Sequence, residues 1–305
     1  MTMSDTGRAM SAKPGRRGWL LPRAIANACR AGSLDTKAKA KVILRILYKP
    51  LHVARIERML QELGLAFISR RHPRLYEKPY RPYLASGLAP GDKVDLIGGH
   101  YRLLRAHFSR GHIETIYSTR LPLLSAFLAQ MQCEVDLRHD RRMEKEGELT
   151  LWLSCKGETM SSVTFVLHPR ALYIGSLQGG QASLEDIRGF TKLGQGVRPH
   201  NFVVFLARLI ARHFGLPAIL AVNNEAHIYQ AKKRTQERIQ FDYDAFWGEN
   251  GGEPADQRFF LLPLQQPRRE LAEVAANKRA QYRRRYEFLD ACALEFEREL
   301  EGLKS

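Results

Sequence analysis

Alternating apolar and polar residues near the middle of the chain predict a β-hairpin. Leu149, Leu151 and Leu153 recur with a period of two, and a second strand-like run covers residues 160–167. Residues 156–158, Lys-Gly-Glu, lie between the two runs and favour a tight turn. We therefore predict two antiparallel strands here.

The rest of the second half switches between strand and helix periodicity. In chain order we predict a strand at 172–177, a helix from Ser183, a helix over 201–214 that is preceded by Pro199, a strand at 218–223, a short helical segment at 243–247, a strand at 259–262 and a long C-terminal helix over 268–303. The fold class is therefore α/β, with a mixed sheet and flanking helices, and its core spans residues 145–265.

The first part of the domain, residues 35–110, is predicted to be mainly helical. Two amphipathic stretches, from Thr36 and from Leu51, are separated by Pro50. Residues 66–91 contain four prolines, which predict an ordered crossing loop or a linker rather than a long helix. The stretch over 112–132 fits a strand and a helix equally well.

Residues 1–34 lack clear periodicity and are rich in Gly, Ser, Pro and Arg. We predict that they form a basic, disordered tail. The domain would then begin at residue 35 and continue to residue 305. We find no internal repeat.

Charge is concentrated at the same end of the chain. The 305 residues carry a net charge of +16, and residues 1–100 account for +12 of it. Residues 101–305 are nearly balanced in charge, and the basic residues are concentrated in residues 1–100. This distribution does not indicate a protein that wraps nucleic acid. We expect residues 1–65 to meet an anionic membrane surface. The alternatives are a solvated tail for residues 1–30 and a helical hairpin packed on the body for the amphipathic pair over 36–63.

The cysteines and the hydropathy of the chain indicate the cellular compartment in which the protein resides. The four cysteines, Cys29, Cys133, Cys155 and Cys292, are scattered and form no zinc-ligand spacing, which is typical of a reducing compartment. No uncharged run is long enough to span a membrane. We predict a cytoplasmic protein that binds peripherally to the inner membrane.

Several strings, in this order, resemble the VirK/YbjX family of Gram-negative bacterial proteins. They are His100–Leu104, GETMSSVTFVL (157–167), Ile174–Gly179, Val197–Pro199, AILAVNNEAHIY (218–229), DYDAFWGENGG (242–252) and KRAQYRRRYEFLD (278–290). The resemblance covers about residues 40–295. It implies a role in envelope integrity, in resistance to antimicrobial peptides or in virulence, and it supplies no catalytic residues.

The C-terminal half also resembles the core of GNAT-like acyltransferases. In that fold a hairpin leads into a central strand, and a glycine-containing loop opens a helix whose free amides hold the pyrophosphate of coenzyme A. The resemblance assigns this role to Gly194, Gly196, Arg198 and Asn201. The sequence departs from the pattern at Thr191, where an Arg or Gln is expected. The alternative is a plain helix–helix connection with a glycine C-cap.

Polar residues after the predicted 218–223 strand are candidate catalytic groups. His227 could act as a general base and Asn223 could hold a carbonyl, whereas the alternative for the two asparagines that follow the strand is a helix cap. The resemblance implies that Tyr243 protonates the leaving thiolate. Asp242 and Asp244 lack a third ligand, so we predict no metal site.

These features leave three functional hypotheses. The first is a GNAT-like transferase that moves an acyl group from a coenzyme A thioester to an envelope or protein amine. The second is a non-catalytic chaperone or regulator at the inner membrane face. The third is an RNA-binding regulator, based on the basic aromatic segment 278–286 and on residues 232–234, although nucleic acid is the less favoured partner.

Overall fold

The computed structural model describes residues 20–32, 34–229 and 241–304. Its helices are α1 (Leu20–Arg30), α2 (Thr36–Tyr48), α3 (Pro50–Glu62), α4 (Ala66–Arg71), α5 (Pro90–His107), α6 (Arg110–Ser118), α7 (Leu184–Leu193), α8 (Pro199–His213), α9 (Tyr243–Glu249) and α10 (Ala276–Glu301). Short 3-10 helices cover Pro73–Tyr80 and Ala129–Met131.

The strands form one mixed sheet. They are β1 (Leu121–Leu124), β2 (Cys133–Arg138), β3 (Leu149–Cys155), β4 (Glu158–His168), β5 (Ala171–Gly179), β6 (Ile219–Val222), β7 (Glu253–Pro254) and β8 (Phe259–Leu262). Their spatial order is β1-β2-β3-β4-β5-β6-β8-β7. Within the described chain, β5 and β6 are the one parallel pair, and every other pair is antiparallel. The predicted mixed α/β class is confirmed.

The centre of the sheet is buried because helices cover it. Every residue of β3 is buried, α5 packs against β4, and α8 contacts β3, β4 and β5. The turn between β3 and β4 is tight, since Lys156 and Gly157 both have positive φ angles, of 51° and 82°. Two such residues suit the right-handed twist of a hairpin.

A β-bulge at Gly175 brings a neighbouring segment close to β5. The register between β4 and β5 shifts there, from Phe165 opposite Ile174 to Thr164 opposite Ser176. A Cβ on Gly175 would lie 1.8 Å from the carbonyl oxygen of Glu146. Only glycine therefore lets the chain around residue 146 pass over this strand.

The prediction of a disordered tail over residues 1–34 is wrong for α1. Ala24 and Ala28 of this helix are fully buried, and Asn27 donates hydrogen bonds into the interior. Small apolar residues spaced along one face are enough to pack α1 on the body, although arginines surround them. Residues 1–19 lie outside the described residues.

Residues 66–91 are a packed part of the fold rather than a linker. The segment contains α4 and the Pro73–Tyr80 3-10 helix, in which most side chains are buried. Prolines shorten the helices here, and Tyr76, Tyr83 and Lys78 point into the interior.

A buried polar cluster fixes this segment to the sheet. Glu148, just before β3, is fully buried; it accepts hydrogen bonds from Lys78 Nζ at 2.6 Å, Tyr83 Oη at 2.7 Å and Tyr101 Oη at 3.0 Å. We call these four residues the Glu148 cluster. Burial alone would raise the pKa of Glu148, but the Lys78 ammonium, with His100 and His139, outweighs burial and lowers it to about 2.

The stretch over residues 112–132, which fitted a strand and a helix equally well, contains both kinds of element. It contains most of α6, then β1 and the Ala129–Met131 3-10 helix. The following β2 was not predicted, although Cys133, Val135 and Leu137 alternate with charged residues. Cys133 of β2 lies directly opposite Cys155 of β3, and the two are joined as a disulfide. The expectation of scattered, reduced cysteines is therefore wrong for this pair.

None of the helices in the described ranges is long and apolar enough to cross a membrane.

Candidate functional site

A cavity of about 620 Å³ opens at the carboxyl end of β5. Its wall includes Gly179 and Gly180 at the end of that strand, the first turn of α8, one face of α7, and α9 with the residues before it. We call it the edge cavity. In open α/β sheets ligands bind outside the carboxyl ends of parallel strands, and β5 belongs to the parallel pair.

Two of the four residues predicted to hold coenzyme A line the edge cavity. Arg198 and Asn201 lie at the start of α8, where no side chain caps the helix. The free amides of that first turn and the positive end of the helix dipole favour an anion. Arg188 of α7 adds a second guanidinium to the same wall.

The other two, Gly194 and Gly196, lie away from the edge cavity and close α7. The Gly196 amide donates to the Thr191 carbonyl at 2.7 Å, and Gln195 and Gly196 both have positive φ angles. A Cβ on Gly196 would meet the guanidinium of Arg285 in α10. This is the glycine C-cap that the sequence left open as the alternative.

His200 is a cavity residue that the sequence analysis missed. Its Nδ1 lies 2.7 Å from the Ser161 hydroxyl of β4, and its ring meets the edge of Phe241. Burial lowers the pKa of His200, so the ring is neutral near pH 7. Its position in the first turn after Pro199 was the available signal.

The structure brings His227 and Tyr243 together. Their rings stack with centroids 4.9 Å apart, and both side chains are buried. Burial lowers the pKa of His227 to about 4 and raises that of Tyr243. Both groups are therefore neutral near pH 7.

Asn223 does not join them. Its side chain accepts from the Ala226 amide at 2.8 Å and donates to the Gln257 carbonyl at 3.0 Å, which closes the turn after β6. The next residue, Asn224, accepts from the Tyr243 amide at 2.8 Å and so positions the start of α9. Both asparagines thus hold backbone amides in place, but no helix begins directly after them, and the N-cap of α9 is Asp242.

A buried carboxyl group that no motif indicated lies beside His227. Glu146 accepts hydrogen bonds from Ser176 Oγ at 3.0 Å and from Gln178 Nε2 at 3.0 and 3.1 Å. His227 Nε2 is buried without a hydrogen-bond partner in the described structure, 4.0 Å from Glu146 Oε1. We call these four residues the Glu146 cluster. The sequence offered no signal, because Glu146 lies in an irregular, charged segment.

Burial raises the pKa of Glu146 to about 7, against the hydrogen bonds from Ser176 and Gln178, which lower it. A carboxyl group that titrates near neutral pH can both accept and release a proton under physiological conditions.

The hydroxyl of Tyr243 pairs with backbone groups of β5 that no neighbouring strand reaches. β5 continues past the end of its pairing with β6, and the Tyr243 hydroxyl there donates to the Leu177 carbonyl at 3.0 Å. The Leu177 amide approaches the same hydroxyl at 3.4 Å. One side chain, that of Tyr243, thus pairs with the N–H and C=O of Leu177 at the edge of β5. The two residues before it, Phe241 and Asp242, line the edge cavity.

In the parts of the chain that the structure describes, we find no group of three His, Cys, Asp or Glu side chains that could hold a metal ion. Asp242 and Asp244 instead serve the backbone. Asp242 accepts from the Ala245 amide at the start of α9, and Asp244 accepts from the Asn224 amide at 2.8 Å.

The basic segment 278–286 lies in α10, and part of its charge is used within the protein. Arg285 donates to the Gln195 carbonyl at 2.9 Å, and Arg284 to the Gln195 side chain at 3.2 Å. These contacts fix the turn between α7 and α8. The other basic segment, residues 232–234, lies outside the described residues.

Comparison with known proteins gives a family and no solved relative. A family model described as "Protein of unknown function (DUF535)" matches residues 32–298. The chain is 34% identical over 278 residues to "Uncharacterized protein YbjX" of Escherichia coli (strain K12), a match that covers 86% of this chain and 84% of the relative. An "Uncharacterized protein" of Haemophilus influenzae is 34% identical over 162 residues, 52% of this chain and 53% of the relative. No solved structure matches the chain significantly.

Proposed function

The chain belongs to the VirK/YbjX family, DUF535, and from its site we propose that it is a GNAT-like acyltransferase. It would transfer an acyl group from a coenzyme A thioester to an amine of an envelope component or a protein. The observation that carries the proposal is the end of β5, where the parallel strand pair ends, Tyr243 covers Leu177, and the edge cavity opens beside them.

The edge cavity supplies a place for both ends of the donor. The first turn of α8, with Arg188 and Arg198, suits the pyrophosphate because free amides and guanidinium groups favour anions. The apolar wall, which includes Met160, Ile187 and Phe246, suits an uncharged pantetheine arm or acyl chain.

The strand end would hold the reacting thioester. If the Tyr243 hydroxyl turns from the Leu177 amide toward the sulfur, that amide becomes free to donate to the thioester carbonyl oxygen. Burial raises the pKa of Tyr243, so its hydroxyl keeps the proton that a leaving thiolate needs.

The Glu146 cluster would take the proton from the attacking amine. The amine nitrogen bonds to the carbonyl carbon as the carbon–sulfur bond breaks, and the proton lost from nitrogen passes by way of His227 Nε2 to the Glu146 carboxylate. The thiolate takes the Tyr243 proton, and Glu146 then passes its proton by way of His227 to the Tyr243 phenolate, so that both groups return to their starting states. A carboxyl group with a pKa of about 7 is half ionised at neutral pH, which suits a base that must be regenerated each cycle.

Isothermal titration with coenzyme A, acetyl-coenzyme A and longer acyl-coenzyme A thioesters tests the proposal. We expect saturable binding to the wild-type protein and at least ~tenfold weaker binding to Ala245→Trp, which fills the edge cavity. Ala280→Trp, at an exposed alanine of α10, is the matched control and should bind like the wild type.

The reaction itself is followed as release of free coenzyme A thiol in the presence of a primary amine. No binding of any thioester at millimolar concentration would refute the proposal. Equal binding to Ala245→Trp and the wild type would place the donor somewhere other than the edge cavity.

A further inference from the structure

The corner where α2 meets α3 exposes an unusual group of large apolar side chains. Leu44, Leu47, Tyr48 and Leu51 are 69%, 59%, 74% and 82% exposed. They lie within eight consecutive residues, whereas the other large exposed apolar side chains of the described chain are single and far apart in sequence. An exposed apolar patch of this kind marks a contact surface.

These exposed side chains are separate from the faces by which α2 and α3 pack on the core. The opposite faces of both helices are fully used, since Val42 and Ile46 of α2 and Val53, Ile56 and Leu60 of α3 are buried. The two helices are thus fixed on the body, and the apolar corner points away from it.

Cations extend the same outer stripe along each helix. On α2, Lys37 and Lys41 precede Leu44 at helical spacing, and on α3, Arg55 and Arg58 follow Leu51 in the same way. All four are exposed, and none of them makes an ion pair within the described residues. Lys49 lies at the tip, with its ammonium 5.6 Å from the Tyr48 ring centroid.

Few acids lie near these cations: the exposed carboxylates of the two helices, Asp35 and Glu62, stand at the ends that are remote from the corner. Between Thr36 and Arg58 the one carboxylate of the sequence is Glu57, which is fully buried and paired with Arg23 at 3.2 Å. The corner therefore combines an apolar tip with cationic flanks.

We propose that the α2–α3 corner docks the protein on an anionic lipid bilayer. Leu47, Tyr48 and Leu51 would enter the boundary between headgroups and acyl chains, and the flanking lysines and arginines would contact lipid phosphates. This pattern of apolar tip and basic flanks is what an interfacial helix needs. The partner is a membrane rather than a second copy of the chain, because two such corners would repel each other.

A bilayer also fits better than RNA. Backbone phosphates would satisfy the cations, but they would leave three exposed leucines without a partner. The proposal is independent of the acyltransferase function, and it refines the sequence-based expectation about residues 1–65 to a few named side chains.

Co-sedimentation with vesicles tests the proposal. We use the full chain with vesicles of phosphatidylcholine that contain phosphatidylglycerol and with vesicles of phosphatidylcholine alone. We expect binding to the first, little to the second, and a decrease with added salt. Leu47→Ser/Leu51→Ser should lose at least ~tenfold in partitioning, since each leucine contributes about a factor of ten when fully buried.

Leu184→Ser/Leu294→Ser is the matched control, because these leucines are equally exposed but lie outside the corner. It should bind as the wild type does. Lys37→Gln/Lys41→Gln should weaken binding by about fivefold for each cation and reduce its salt dependence. Thermal unfolding of each variant checks that the fold is retained.

Three results would overturn the proposal. They are no binding of the wild type to anionic vesicles, equal binding by the wild type and the corner variant, and an equal loss in the Leu184/Leu294 control. Salt-dependent retention of RNA that Leu47→Ser/Leu51→Ser leaves unchanged, with no vesicle binding, would assign the cations to nucleic acid instead.

Discussion

Glu146 and Glu148 are two buried carboxyl groups only two positions apart, and their surroundings shift their pKa values in opposite directions. Glu148 has an ammonium partner, Lys78, and two tyrosine hydroxyls, and its pKa falls to about 2. Among the described residues, Ser176 and Gln178 donate to Glu146 as neutral groups, and Lys145 lowers its pKa too little to offset burial, so the pKa rises to about 7. Burial is common to both, so the partner decides the charge.

The difference separates a structural carboxylate from a reactive one. The Glu148 cluster is saturated, because each carboxylate oxygen accepts from at least one donor and a cation neutralises it. The Glu146 cluster has no cation among the contacts described above, and it contains an unpartnered imidazole nitrogen. A carboxyl group held near its titration point is what proton transfer requires.

The largest effect should come from breaking the Glu148 cluster. We expect Glu148→Gln to lower the free energy of unfolding by about 3–5 kcal/mol, because it leaves the buried Lys78 ammonium without a counter-charge. Urea unfolding at neutral pH measures this.

The double variant Lys78→Met/Glu148→Gln is the control for that loss. Once the ammonium is also removed, no charge is left uncompensated, and a substantial part of the stability should return. A Glu148→Gln protein as stable as the wild type would contradict the structural role.

The next effect concerns catalysis rather than stability. We expect Glu146→Gln to reduce the proposed acyl transfer by about 10²- to 10³-fold, because an amide keeps the shape of the side chain but cannot accept the proton. Release of coenzyme A thiol measures the rate. Glu225→Gln, an exposed carboxylate in the same turn as His227, should change the rate by less than about threefold. A transfer rate unaffected by Glu146→Gln would remove this residue from the mechanism.

The pH dependence of stability should distinguish the two carboxyl groups directly. The ordinary pKa of a glutamate is 4.5, and the folded protein holds Glu146 at about 7. Between those values the folded state keeps a proton that the unfolded state releases, so the free energy of unfolding decreases as pH rises from 4.5 to 7. At 1.36 kcal/mol per pKa unit the change is on the order of 3 kcal/mol.

Glu148 acts in the opposite sense and at lower pH. Its folded pKa of about 2 lies below 4.5, so it stabilises the protein above pH 4.5, and that contribution is lost as pH falls toward 2. Urea unfolding of the wild type and Glu146→Gln across this range isolates the first effect. Parallel curves for the two proteins between pH 4.5 and 7 would mean that Glu146 is ionised throughout.

Much of the fold was predictable from the sequence because local patterns and tertiary packing agree in the second half. The 148–167 hairpin, the helix from Ser183 and the 218–223 strand all appear close to their predicted bounds. Two elements were missed although their sequences carry a local pattern. Leu20, Ala24 and Ala28 of α1 recur at helical spacing, and Cys133, Val135 and Leu137 of β2 alternate with charged residues. The arginines in the first segment and the shortness of the second masked these patterns.

The candidate site was less predictable, for two physical reasons. In a sequence, a pair of glycines is compatible both with a phosphate-binding loop and with a helix C-cap. In the structure, Gly194 and Gly196 form the C-cap of α7. Glu146 carries no motif, because its pKa depends on Ser176, Gln178 and the bulge at Gly175, none of which is near it in sequence. His227 and Tyr243 were identified because they follow buried strands or begin helices, where polar residues are informative.

The smallest predicted effect compares one hydrogen bond in each cluster at about pH 6, between the two pKa values. Tyr101→Phe removes a donor from an ionised carboxylate, and we expect it to cost about 1.5–3 kcal/mol of unfolding free energy. Ser176→Ala removes a donor from a largely protonated carboxyl group that Gln178 still contacts, and we expect a cost of only about 0.5–1.5 kcal/mol. Ser176→Ala should also raise the pKa of Glu146 further, because the lost hydrogen bond favours the ionised form.

Urea unfolding of both variants gives the two costs. Equal costs would mean that the two carboxyl groups carry the same charge in the folded protein, whereas a larger cost for Tyr101→Phe ties the difference between the clusters to the Lys78 ammonium that donates to Glu148.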